Sequence, residues 1–272
     1  MTSSRIPARS ALGFLLAAGM AVSPLVLAQS VASEPASQAA SESAPAPAAS
    51  DFTLTANLSL ASEYRYRGLM QTNSHPALQG GFDLSHASGF YLGNWNSNVS
   101  WLDDSNPAVS APLEMDFYAG YKTKLANDVM LDAGLLRYYY PGDYPAGYVS
   151  PNTTEVYASV GYGVFSFKYS NALTNLFGFA DSKHSQYYDL SANVDTGFWG
   201  LTANAHVGYQ DVRHVDNASY LDWKLGLTKE VAKGTSVSLA YVDTDAKRSA
   251  YTNAKGRFMG RQAAVLTLTQ AF

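Results

Sequence analysis

Phe52-Thr53-Leu54-Thr55-Ala56-Asn57-Leu58-Ser59-Leu60 alternates apolar and polar side chains without a break. Successive side chains of a strand point to opposite faces, so Phe52, Leu54, Ala56, Leu58 and Leu60 share one face and Thr53, Thr55, Asn57 and Ser59 the other. Stretches of the same kind recur as far as Phe272. In a soluble sandwich the apolar face would be the inside. Here the apolar faces are rich in Leu, Val, Ala, Tyr and Trp while the others repeat Asn, Ser, Thr, Asp, Glu and Gly. That division suits one closed sheet with lipid outside and water within.

The alternation predicts twelve strands, at 52–68, 77–86, 90–102, 113–122, 129–140, 153–162, 164–171, 185–195, 198–210, 219–228, 235–243 and 261–272. Connections alternate in length. Those after the even-numbered strands are short, as at Ala87-Ser88-Gly89, Gly163 and Thr196-Gly197, and those after the odd-numbered strands are long and polar, as at 103–112, 141–152 and 244–260. The expected fold class is therefore all-β, a transmembrane antiparallel up-and-down barrel of the outer-membrane type, with the short turns and both termini in the periplasm. An open edge in hydrocarbon would leave backbone groups unpaired at several kcal/mol each, so the last strand must pair with the first.

The outward faces are expected to be Tyr91, Trp95, Val99 and Trp101 against an inward Asn94, Asn96, Asn98 and Ser100; Trp199, Leu201, Ala203, Ala205, Val207 and Tyr209 against Thr202, Asn204, His206 and Gln210; and Leu221, Trp223, Leu225 and Leu227 against Asp222, Lys224, Gly226 and Thr228. The closing strand points Ala264, Leu266 and Leu268 outward. In the fifth strand Arg137 and the Tyr138-Tyr139-Tyr140 run blur the register.

Residues 1–28 have the make-up of a secretory signal, with Arg5 and Arg9 ahead of an apolar run from Ala11 to Leu27 and a cleavage site at Val26-Leu27-Ala28. Residues 29–50 are almost wholly Ala, Ser, Pro, Glu and Gln, too poor in apolar surface to offset the entropy of ordering, and are expected to be a disordered spacer. The barrel then occupies 51–272. No apolar run of about 18 residues follows Asp51, which excludes helical spans. The chain has no Cys, so thiolate chemistry and Cys-based metal sites are excluded. The net charge of −4 gives no reason to expect nucleic acid. The 19 Tyr suit aromatic girdles at two membrane interfaces.

Near the outer mouth, Glu63, Arg65 and Arg67 fall on the polar face of the first strand, with Tyr64 and Tyr66 on its lipid face. Glu114, Asp116 and Glu155 point inward at the same end. These six form either an ion-pair network or a charged constriction that touches solute, and one cluster can do both. Deeper in the lumen lie Asp83, Asp132, Lys168, Asp189, His206, Asp222 and Lys224, of mixed sign, which predicts at most a mild cation preference. Glu114 and Asp116, two apart on one face, lack a His partner, and a lining role outweighs acid/base work. The five His have no metal-ligand spacing, so neither metal nor cofactor is expected. A hydrolase would need a Ser and a His near each other; Ser85, His86 and Ser88 come nearest, beside a periplasmic turn and in the wrong leaflet for outer-leaflet lipid.

Leu60-Ala61-Ser62-Glu63-Tyr64-Arg65-Tyr66-Arg67-Gly68, with Pro76-Ala77-Leu78-Gln79-Gly80-Gly81-Phe82-Asp83, Gly89-Phe90-Tyr91, Trp95-Asn96-Ser97-Asn98-Val99 and Tyr139-Tyr140-Pro141-Gly142, resembles the TorF family of proteobacterial porin-like proteins, long catalogued as conserved hypothetical. The resemblance spans most of 52–272 and implies a barrel in the outer membrane of a Gram-negative bacterium with a channel role, without naming a substrate. A final strand ending on Phe272 likewise resembles the signal read by the barrel assembly machinery.

The expected function is a porin for passive diffusion of small hydrophilic solutes, a monomer in contact with outer-membrane lipids. Twelve strands give a backbone diameter of roughly 24 Å, about half of it filled by side chains. In so narrow a bore Tyr118, Tyr157, Tyr187 and Tyr220 can occlude the path. The alternatives are a closed structural or surface-binding barrel and, further off, a lipid-modifying enzyme.

Overall fold

The computed structural model describes residues 50–272. The export signal and nearly all of the spacer lie outside them. Within them the chain runs β1 (Phe52–Ala61), β2 (Arg65–Tyr66), β3 (Leu69–Met70), β4 (Ala77–His86), β5 (Phe90–Asn98), α1 (Trp101–Ser105), β6 (Leu113–Lys124), β7 (Met130–Tyr139), β8 (Thr153–Tyr162), β9 (Phe165–Ala172), β10 (Gln186–Asp195), β11 (Leu201–Asp211), β12 (Tyr220–Ala232), β13 (Thr235–Thr244), α2 (Arg248–Tyr251) and β14 (Ala263–Ala271). All but β2 and β3 form one closed antiparallel barrel of twelve strands, each paired with its neighbours in sequence order.

Closure is made by β1 and β14 over Asn57↔Ala271 to Ala61↔Thr267, and the seam continues where the Phe272 N–H donates to the Ala56 carbonyl at 2.9 Å. No backbone edge is left in the wall, as hydrocarbon surroundings demand. Connections of two to five residues join strands at one end, and the segments 62–76, 99–112, 140–152, 173–185, 212–219 and 245–262 crowd the other. Both ends of the barrel sequence lie at the short-turn end.

The alternation of β1 reads true. Leu54, Leu58 and Leu60 stand 49–68% exposed on the outer wall, as do Leu225 at 64% and Leu266 at 52%. The third expected stretch has its faces reversed. Asn94 and Asn96 are paired with outward Phe82 and Gly80, Asn98 Oδ1 accepts from the Leu78 N–H at 2.7 Å, and Tyr91, Trp95 and Val99 point inward. The cause lies inside the bore, on the two neighbouring strands β6 and β7. The Tyr91 hydroxyl donates to Asp132 Oδ1 at 2.5 Å, and Gly93 passes beneath the Tyr118 ring, where a Cβ would come within 2.4 Å of a ring carbon. Large amphipathic rings fill the interior of β5, so polarity is a poor guide to its facing. Trp101 is not in this strand at all but opens α1. In β7 the ambiguity resolves with Tyr138 inward and 1% exposed, and with Tyr139 and Arg137 outward, the latter donating to Thr154 Oγ1 at 2.8 Å.

The buried apolar core is not in the wall but at the long-loop end. One cluster gathers Tyr64, Val99, Leu102, Val109, Leu136, Tyr138 and Tyr140, and a second gathers Met70, Leu176, Val212, Tyr220, Tyr251 and Met259. Tyr251, from α2, donates to the Ala218 carbonyl at 2.5 Å, and burial pushes its hydroxyl above the ordinary tyrosine value. The loops thus cap the barrel with a small core of their own.

Candidate functional site: a hairpin inside the bore

The first strand ends at Ala61, seven residues short of the expected boundary, because the chain then turns inward. Arg65–Tyr66 and Leu69–Met70 pair as a two-residue hairpin whose tip, Arg67 and Gly68, has φ of 45° and 75°. Positive φ at both central positions is the turn type that matches strand twist, and glycine suits its second place. Here glycine is also forced by space, since a Cβ on Gly68 would sit 2.4 Å from Thr244 Cγ2 and 2.7 Å from Asp222 Cβ. The tip is pressed against β13 and β12, two and three strands round the barrel from β1.

Arg67 is the hub. Its Nη2 donates to Glu155 Oε2 on β8 and its Nη1 to Gln210 Oε1 on β11, each at 2.7 Å, while the guanidinium lies 4.1 Å from the centre of the Tyr187 ring on β10. Left-handed backbone at a residue with a side chain costs about 1–2 kcal/mol. Charge-assisted bonds of this kind contribute about that much each and hold the tip in place. Tyr66 shares a hydrogen bond with Tyr138, and Tyr64 donates to Glu114 Oε1 at 2.7 Å, with Tyr140 donating to the other oxygen at 2.6 Å. Tyr64 and Tyr66, expected on the lipid face, are therefore the inner faces of a plug.

The six mouth residues meet unequally. Arg67 and Glu155 form a buried ion pair; Arg65 Nε instead reaches Glu63 at 2.7 Å, and its Nη1 donates to the carbonyls of Gly68, Met259 and Arg261, tying the hairpin to the last long loop. Glu114 bonds tyrosines rather than an arginine, and Asp116 Oδ1 is buried with no hydrogen-bond partner. Among the described residues no group of His, Asp and Glu has the geometry to hold a metal ion.

Beneath the hairpin four of the deeper charges, Asp132, Lys168, Asp189 and Asp222, lie on one tilted row. Register places Lys122, Asp132, Ser159, Lys168, Asp189, Gly208 and Asp222 side by side on β6 to β12, climbing from the short-turn end to the hairpin tip. Lys168 stands 3.9 Å from the centre of the Tyr157 ring; His206 contacts Asp222 at 2.8 Å and Asp189 at 3.3 Å; Asp83 accepts from Tyr118 at 2.7 Å. Lys224 is paired in register with His206. Sequence reasoning missed Lys122 and Gln210 as partners, although Lys122 shares the two-residue period of Glu114 and Asp116.

Solvent reaches this row from one side only. Inward Thr53, Thr55, Asn193 and Asp195 near the short turns are exposed, whereas Glu114, Thr153, Glu155, Gln210 and Asp222 at the other end are at most 2% exposed. The interior is a polar well, open at the short-turn end and closed by the hairpin and the loop cap.

Residues 45–272 match the family described as "Bacterial protein of unknown function (Gcw_chp)". The chain belongs to that family. No curated protein matches it. Among solved structures, the family's fold as seen here is similar to the KdgM porin, with a TM-score of 0.51 and 10% identity over 80% of this chain and 98% of that one. The COG4313 outer membrane channel from Pseudomonas putida F1 is also similar, with a TM-score of 0.43 and 13% identity over 85% of this chain and all of the other. At such identities the likeness to KdgM establishes an outer-membrane porin-like barrel fold and nothing about solutes.

Proposed function

We propose that this protein is an outer-membrane channel for small hydrophilic solutes whose bore is closed, in the conformation described, by the hairpin of residues 65–70. The observation that carries the reading is the charged interior. A buried ion pair such as Arg67–Glu155 adds little net stability over apolar packing. A barrel built only to be solid would be better filled with leucine. A tilted row of lysines and aspartates leading from the open end to that pair suits a wetted path along which solutes of either sign find partners.

The resemblance to TorF-family porin-like proteins supports the same reading, as does the KdgM-like fold. On it, residues 1–28 direct export and are cleaved near Ala28, the short turns face the periplasm and the long loops the exterior. The strand that ends on Phe272 is read by the barrel assembly machinery, and lipid surrounds the wall. No enzymatic role is part of the proposal. His86 Nδ1 and Ser88 Oγ do meet at 2.7 Å, but they lie exposed at a short turn, on the periplasmic side.

The second reading, a closed structural barrel, draws on the same buried hub. Planar-bilayer recording separates them. Ala61 and Ala77 are paired across β1 and β4, so residues 63–75 can be replaced by a short Gly-Ser turn without disturbing the wall. The shortened barrel is expected to conduct steadily, and the wild type to conduct less and in brief openings. Silence from a shortened variant that still shows heat-modifiable migration would establish the closed barrel.

A further inference from the structure

The charges of the deeper bore are partnered unequally. Its four aspartates each hold a protein donor: Asp83 accepts from the Tyr118 hydroxyl at 2.7 Å, Asp132 from Tyr91 at 2.5 Å, Asp189 from Ser191 at 2.6 Å and Asp222 from Tyr187 at 2.9 Å. His206 lies between Asp189 and Asp222. The three lysines of the same region, Lys122, Lys168 and Lys224, hold no acceptor. Among the described residues no carboxylate oxygen comes within 4.0 Å of their ammoniums, and none of the three donates a hydrogen bond to the protein.

Lys168 is the most enclosed of them at 8% exposed, yet its Nζ is not sealed off as Asp116 Oδ1 is, and it keeps access to the well. Its neighbours in register are Ser159, which is neutral, and Asp189, which is engaged with Ser191 and His206. Glu155, nearer the hairpin, is committed to Arg67. The ammonium instead stands over the Tyr157 ring, and the Tyr157 hydroxyl shares a hydrogen bond with that of Tyr91, whose ring centre lies 5.5 Å from Lys122 Nζ. A ring face offsets only part of what a cation loses on leaving water. Two unpaired cations thus flank one hydrogen-bonded tyrosine pair, on the way from the open end to the hairpin.

We infer that the well holds a binding site for the oxyanion of a small solute, a carboxylate or a phosphate, anchored on the Lys168 ammonium and supported by Lys122. An ammonium has three donors and no acceptor, so the oxygens of an anion are its complement, and enclosure strengthens the pair beyond what bulk water allows. A cationic solute would have to compete with tyrosine, serine and histidine donors already on the aspartates. The cation preference expected from the sequence came from counting signs, whereas here the carboxylates are engaged and the ammoniums are open. The inference names the solute class of the channel proposed above and rests on that reading for passage, but binding itself needs no conduction.

Isothermal titration of the refolded full barrel in detergent tests it, with sodium succinate and inorganic phosphate as probes and succinamide as the uncharged control. Wild type is expected to bind at least one of the two anions and not succinamide, and the tighter anion names the preferred group. Lys168→Met, which keeps the length of the side chain and removes its charge, should weaken binding by about tenfold or more, and Lys122→Met by less, with heat-modifiable migration retained in both. Lys183→Met, on an exposed loop, should bind as wild type does. Unchanged affinity in Lys168→Met, equal binding of succinamide, or no binding of either anion by the wild type would overturn the site. Anion binding by a barrel that stays silent in planar bilayers would sink the channel and leave the site standing; a conducting barrel that binds neither anion would do the reverse.

Discussion

Arg67 illustrates how far single residues could be read. Its pairing with Glu155 follows from placing both on inward faces near one mouth, and the cost of leaving buried charge unpaired. Its route there was not legible, because the period-two pattern of Glu63, Arg65 and Arg67 continues that of β1 without interruption while the backbone departs into the bore. Only Arg67-Gly68 signals a turn, and a lone X-Gly pair is weak. Removing the guanidinium by Arg67→Ala leaves the Glu155 carboxylate buried without its counter-charge, with the Tyr138 hydroxyl as its remaining donor at 3.4 Å, and is expected to destabilise the cap by about 3–5 kcal/mol, whereas Gln210→Ala removes neutral groups, its acceptor to Arg67 and its Nε2 bonds to the Gln186 and Asp211 carbonyls, and should cost about 1–2 kcal/mol. Urea titration of the refolded variants checks the order. The wall is tested by Leu225→Arg, which places charge among lipid and should cost about 2–4 kcal/mol, against Asn204→Arg, whose side chain enters the well and should cost little. Equal losses at the two sites would invert the assigned faces.

At the scale of elements, strands with one uniformly apolar face were readable to within a few residues. The outward leucines of β12 and the β11 pattern from Leu201 to Tyr209 fix their own facing, because lipid tolerates little else. β5 was not readable, since Tyr91 and Trp95 satisfy either side and its asparagines stand on the outer wall, where polarity predicts apolar side chains. The hairpin behaves as one element with a rigid tip. Gly68→Val would force a branched side chain into Thr244 and Asp222 and demand φ near 75° of a residue that avoids it. The tip should be expelled while β1 and β4 stay paired. The expected result is greater conductance and faster proteolysis within 62–76, with unchanged heat-modifiability; unchanged proteolysis would mean that the tip tolerates the branch.

For the molecule as a whole, strand number, antiparallel order and closure were all implied by the even count of amphipathic stretches and by the alternation of short and long connections. The loop cap was not, because its two apolar clusters draw residues from six separated segments whose meeting has no local signature. Closure depends on the seam. Phe272 faces outward, 72% exposed, and its backbone holds Ala56 on both sides, with the Ala56 N–H donating to its carbonyl at 3.2 Å. Phe272→Asp sets a charge at that junction and should lower the amount of heat-modifiable protein recovered from outer membranes; wild-type levels would show that the seam assembles without it.

Ala61 and Ala77 face each other where the hairpin leaves and rejoins the wall, so the hairpin, the inner part of the stopper, hangs from one rung of one strand pair. The wall can accordingly keep its register while the stopper is lengthened, recharged or lost in a single insertion or deletion. On the channel reading proposed above, permeability changes by exchange of some fifteen residues while the barrel that carries them stays as it is.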